Sequence, residues 1–152
     1  MIGREDKNEN DLFYTCSLIA YIARKTKNKP RDIVQALGSD TLYHIYDLAD
    51  IYHSDNIDKV SDDFIEEKGI AMGTFDNVSE CMYSVPTHWD IGKVYKRLIL
   101  MVVKNENKDA ITSLINVYQS KVSDLIEDYN SSFYYDNPQT IFATYNNGGI
   151  PE

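Results

Sequence analysis

The stretch Ile91-Gly-Lys-Val-Tyr-Lys-Arg-Leu-Ile-Leu-Met-Val-Val103 decides how the chain is read. Ile91, Val94, Tyr95 and Leu98 recur at helical spacing, and Leu98 to Val103 is an unbroken apolar run. A strand could hold those six residues, but the periodicity leading into them favours a helix. Such a helix must be buried. Crossing a bilayer takes roughly 20 apolar residues, so the run is core and not membrane. Upstream, Thr87 and Asp90 have the form of a capping box, which places the start of this central helix near His88 or Trp89.

Outward from it, Ile111, Ile115, Tyr118, Val122, Leu125 and Tyr129 form a seam at 4-3-4-3-4 spacing. The seam predicts a second helix over about 108–129, about 33 Å long at 1.5 Å per residue. The link through Asn105, Glu106 and Asn107 is short, so the two helices are expected to be antiparallel. Phe133, Tyr134 and Tyr135, a turn at Asn137 and Pro138, and a short helix with Ile141, Phe142 and Tyr145 follow before Gly148 and Gly149.

On the other side, Asn10 or Asp11 is expected to cap a helix running to Lys25, with Leu12, Cys16, Ile19 and Ala23 inward. A short helix from Arg31 to Leu37 should end at Gly38, and Ser39 should cap the next, striped by Leu42, Ile45, Ala49 and Tyr52. Asn56 and Gly69 bracket a further helix with Ile57, Val60, Phe64 and Ile65 inward. Between Ile70 and Asp90 periodicity fails, leaving a connection of about twenty residues with one short helical turn near Val78 to Met82. The expectation is an all-α fold: a flexible arm over 1–9, a single helical bundle over 10–145 built around the helix at 91–103, and a flexible tail over 146–152.

With 152 residues, 43% of them hydrophobic, the chain can bury a core without disulfides or metal. Its 24 acidic against 15 basic residues give a net charge of −9, which disfavours nucleic acid and anionic lipid as direct partners. Cys16 and Cys81 lack any ligand spacing and read as reduced thiols, and the polar N-terminus has no apolar signal core. Cytoplasmic residence is expected.

Candidate chemistry is sparse. His44 with Asp47, and Asp50 with His53, are three apart but lack a third metal ligand. Cys81 and His88 share one irregular segment without a defined geometry, and there is no glycine-rich phosphate loop. No catalytic, cofactor-binding or metal residue is assigned, and a non-enzyme is expected. Charge is the stronger signal. Asp47, Asp50, Asp55, Asp58, Asp62, Asp63, Glu66 and Glu67 are opposed within their run only by Lys59. Those carboxylates read either as a solvated helix surface or as a docking face for a basic protein surface. Trp89, Tyr134 and Tyr135 are candidate aromatic anchors for such a partner, although a lone tryptophan also serves to pin a loop to the core. A homodimer is a further expectation, because the helix at 91–103 is apolar on more faces than one neighbour covers.

The segments NDLFYTCSLIAYIARKTKNKPRDIVQAL (10–37) and LYHIYDLADIYHSDNIDKVSDDFIEE (42–67) resemble a group of small uncharacterised helical proteins of low-GC Gram-positive bacteria and their mobile elements. DFIEEKGI, FDNV, VPTHWDIGKVYKRLI and YNSSFYYDNP extend that resemblance along nearly the whole chain. The first 70 or so residues are also similar in layout to a shorter family often encoded beside an ADP-ribosyltransferase-like protein, with Tyr46, Asp47 and the surroundings of His53 as loose counterparts of its motif. That pairing implies an antitoxin-like or immunity-like neutraliser or regulator of a companion enzyme. The alternative is an acidic inhibitor of a nucleic-acid-binding protein, a phage-derived anti-defence factor; a small-ligand domain or enzyme using the 70–90 connection comes third.

Overall fold

The computed structural model describes the backbone of residues 2–150 and the side chains of residues 7–150. Its helices are α1 (Ile2–Thr26), α2 (Pro30–Asp47), α3 (Ala49–His53), α4 (Ile57–Lys68), α5 (Asn77–Glu80), α6 (His88–Glu106), α7 (Ala110–Gln119), α8 (Lys121–Ile126) and α9 (Pro138–Asn146), with a 3-10 turn at Phe133–Tyr135. No strand occurs among the described residues. The chain is an all-α bundle with one continuous apolar core.

Two helices share the centre. In α6, Ile91, Tyr95, Leu98, Ile99 and Val102 are buried, while Leu100, Met101 and Val103 are half-covered. The stretch enclosed on every side is the middle of α1, where Tyr14 to Ala20 are buried without interruption. It packs most widely on α6 and α2, and also touches α3 and α4. Polar residues tolerate that position because they bond within the helix: the Thr15 and Thr26 hydroxyls donate to the carbonyls of Asp11 and Ile22, each at 2.8 Å. Helix α1 also begins earlier than expected. Residues 2–9, read from sequence as a flexible arm, belong to it, and neither Asn10 nor Asp11 is a cap. Met1 lies outside the described residues. At the other end, residues 147–150 of the expected tail are held in hydrogen-bonded turns, with the Gly149 N–H on the Thr144 carbonyl at 2.9 Å, while 151–152 lie outside the described residues.

Punctuation in the sequence is largely obeyed. Gly38 takes φ 79° and ψ 162° inside α2, so the expected break occurs there as a kink within a longer element. The Asn56 side chain caps α4, and Gly69 closes it in the left-handed conformation. Thr87 and Asp90 form both bonds of the capping box of α6. The expected long helix over 108–129 is divided. Ser120, extended at φ −87° and ψ 166°, separates α7 from α8. The reason is a cross-link to α2: Arg31 donates to the Ser120 carbonyl at 3.0 Å, Gln119 donates to the Arg31 carbonyl at 3.1 Å, and Arg31 pairs with Asp124 at 3.1 Å. Periodicity continues through the break, because Val117, Tyr118, Val122 and Ile126 still face the core.

Candidate functional site

The acidic run lies on the end of α2, on α3 and on α4. All eight of its carboxylates are exposed. Half of them lie within ion-pair distance of a lysine, three lysines serving four carboxylates. Lys25 of α1 reaches Asp58 at 2.6 Å and Asp62 at 2.5 Å, and the Tyr21 hydroxyl donates to Asp58 at 2.7 Å. Lys25 first and Tyr21 second hold the Asp58 carboxyl below the usual aspartate range. Asp50 lies 3.9 Å from Lys7, and Asp55 lies 3.5 Å from Lys59. Asp47, Asp63, Glu66 and Glu67 have no ion pair among the described residues. The same run holds an apolar side chain the sequence reading passed over: Ile51 of α3 is 62% exposed, and in the sequence it stands among Asp47, Asp50 and Asp55. Its i+3 and i+4 neighbours are polar, a signal that would have marked it as outward.

The aromatic candidates separate. Trp89 is half-buried and packs in a chain of rings: Phe13 at 5.6 Å, His53 at 5.8 Å and His88 at 4.7 Å between centroids, with Tyr14 stacked on His53 at 5.2 Å. The tryptophan therefore fastens α6 to α1 and to α3, the helix that carries Ile51. Tyr134 and Tyr135 lie elsewhere, along a groove walled by α6 and α9.

The histidines and cysteines do not converge. Cys81 donates to the Tyr83 carbonyl at 3.3 Å, whereas His88 packs edge-on to Tyr21 at 4.9 Å; no hydrogen bond joins the two among the described residues. Burial, and then the Arg24 charge, lowers the His88 imidazole below its ordinary value. Burial pushes the Cys16 thiol up to about 12, which leaves it unreactive. Among the described residues no group of three or more histidine, cysteine or carboxylate side chains is placed to hold a metal ion.

One buried carboxylate escaped the sequence reading. Glu127, at the end of α8, is only 6% exposed. Its Oε2 accepts from the Tyr95 hydroxyl at 2.8 Å, and its Oε1 accepts from Tyr129 at 3.0 Å and from Asn77 at 3.2 Å. Arg24 donates to the Tyr129 hydroxyl at 3.1 Å and also to the Pro86 carbonyl. Desolvation raises the Glu127 carboxyl above the usual glutamate range, and the three donors oppose that shift. The network bonds both Asn77 and Pro86, so it straps the long 70–87 connection to α1, α6 and α8. That connection is tied down further by Gly73 to Thr26 at 2.7 Å and by Met82 to Asn130 at 2.7 Å. Glu127 stands four residues after buried Ser123, on the strip that carries Val122 and Ile126, and a helical projection would have shown it facing inward.

Comparison with known proteins finds no matching family model, no matching curated protein and no matching solved structure. No helix among the described residues is long and apolar enough to cross a membrane.

Proposed function

We propose that the protein acts without catalysis, by binding the basic surface of another protein through the face formed by α3 and α4. The observation that carries this reading is Ile51, an exposed aliphatic side chain flanked in sequence by Asp47, Asp50 and Asp55, on a face tied to α6 by the ring contact of His53 with Trp89 and to α1 by Lys25. An apolar anchor within a charged surround is the usual layout of an interface, in which few residues supply most of the energy and the charges chiefly set association rate and partner choice. A specific form of the reading follows the layout of the first 70 or so residues, similar to a family often encoded beside an ADP-ribosyltransferase-like protein: the partner is a companion enzyme that this protein neutralises or regulates in the cytoplasm.

The structure changes which residues should be tested. Asp58 and Asp62 hold Lys25, so their reversal would disturb α1 as well as the surface. The informative variants are Ile51→Asp and the triple reversal Asp47→Lys, Asp63→Lys, Glu66→Lys. Affinity capture from the source cell should recover a basic protein with the wild type and lose it with Ile51→Asp. The triple variant should weaken capture and flatten its salt dependence, with helical circular dichroism unchanged in both. Recovery of the same partner by all three proteins at the same salt dependence would show α3 and α4 to be a solvated surface only.

A further inference from the structure

We infer that the groove between α6, α9 and the 3-10 turn is a binding site for a small amphipathic organic anion, a carboxylate or sulfonate on an aromatic or aliphatic body. The groove encloses about 500 Å³, within the range of small-molecule sites. Its apolar lining comes from Val94, Leu98, Tyr134 and Ile141, residues drawn from three separate elements. Lys93 and Arg97 stand on its α6 wall one helical turn apart, the spacing at which two side chains address one group.

Charge placement decides the sign of the ligand. Asp90 and Asp136 also line the groove, but each is engaged by its own backbone: Asp90 accepts the Thr87 N–H at 2.9 Å in the capping box, and Asp136 accepts the Asn137 N–H at 2.8 Å. Lys93 and Arg97 are exposed and make no ion pair or side-chain hydrogen bond among the described residues. Both aspartates keep their charge and the lining is formally neutral, so what favours an anion is position: Lys93 and Arg97 are adjacent and without an ion pair among the described residues, while each carboxylate is turned to a backbone N–H. The site is separate from the α3–α4 face and does not depend on it.

The probe is 1-anilinonaphthalene-8-sulfonate, with its uncharged relative N-phenyl-1-naphthylamine as the neutral control. Sulfonate fluorescence should saturate at one site per chain, and 2-naphthoate or laurate should displace it. The pair Lys93→Glu and Arg97→Glu should weaken the sulfonate about tenfold, the combined effect of two partly exposed charge contacts, and leave the neutral dye within about twofold. Val94→Trp, which fills the groove, should abolish both, with thermal unfolding verifying that each variant is folded. Absence of saturable sulfonate binding, failure of both carboxylates to displace it, or equal binding to wild type and the double charge variant would each overturn the assignment. Folded Val94→Trp that still binds the dyes as wild type does would place them elsewhere and overturn it equally.

Discussion

A carboxylate shut away from water needs donors, and Glu127 has three, from Tyr95, Tyr129 and Asn77. Desolvation still exceeds their help, so its pKa in the folded protein lies above the 4.5 of a free glutamate. The folded state then holds the Glu127 proton more tightly than the unfolded state does. Its contribution to stability is present below that free value and lost as pH rises through the folded value. Urea denaturation of wild type and Glu127→Gln across pH 4 to 7 should show wild type losing stability relative to the variant as pH rises. A relative gain would mean that the donors outweigh burial. At pH 7 the glutamine should itself cost about 1–3 kcal/mol, because at least one of the three donors loses its acceptor. Sequence reading missed this residue because a glutamate in a helix is ordinarily solvated. Its three donors, and Arg24 behind Tyr129, come from positions up to 105 residues apart.

Between elements, the tightest meeting is α1 on α6. A Cβ added to Gly92 would fall 2.1 Å from the Ser17 Oγ and 2.9 Å from the Ser17 backbone nitrogen. Helix propensity favours alanine over glycine by about 1 kcal/mol. Packing opposes it, since forcing an atom into a filled contact costs about 1–3 kcal/mol. Backbone atoms of Ser17 cannot rotate away as a side chain can, so packing should win. Gly92→Ala should lower the urea midpoint without changing the denaturant slope. Ser17→Ala removes a buried hydroxyl that has no hydrogen-bond partner. Alone it should be neutral or stabilising, and combined with Gly92→Ala it should recover part of the loss. In the sequence Gly92 is an isolated glycine near the start of the central helix, with nothing local to tie it to Ser17. Local chemistry was readable where it acts within a few residues, as at Gly38, Asn56, Gly69 and Thr87 with Asp90. It was not readable at Ser120, whose extended conformation answers to Arg31 some 89 positions away. Nor was it readable in α1, where Thr15 and Ser17 disguise the fully buried stretch Tyr14 to Ala20 as a one-faced one.

For the molecule as a whole, the expected dimer rested on uncovered faces of the helix at 91–103. Within one chain α6 is covered by α1, α7, α9 and the 3-10 turn. The large apolar side chains left exposed include Ile51 on α3 and Met72 and Met82 on the 70–87 connection, while Tyr83 and Val85 of that connection each line a pocket together with Tyr135 of the 3-10 turn. A stable homodimer buries about 1,200–2,000 Å², more than the group of Tyr83, Val85 and Tyr135 supplies by itself. Two copies also repel each other at a net charge of −9 apiece, a repulsion that salt screens over about 10 Å at 0.1 M. The all-α class was open to sequence because periodicity is local, and the acidic face because its carboxylates are consecutive along the chain. The groove beside Lys93 and Arg97 was not, because its walls come from residues 84–98 and 134–141 and only the fold brings them together. Sedimentation equilibrium at tens of micromolar should therefore return the 17.5 kDa mass of one chain at low salt. Raising the salt separates the two causes. If charge alone kept the copies apart, screening would let the dimer form. If no continuous apolar patch exists, the mass stays that of the single chain, which is the outcome expected from the coverage of α6.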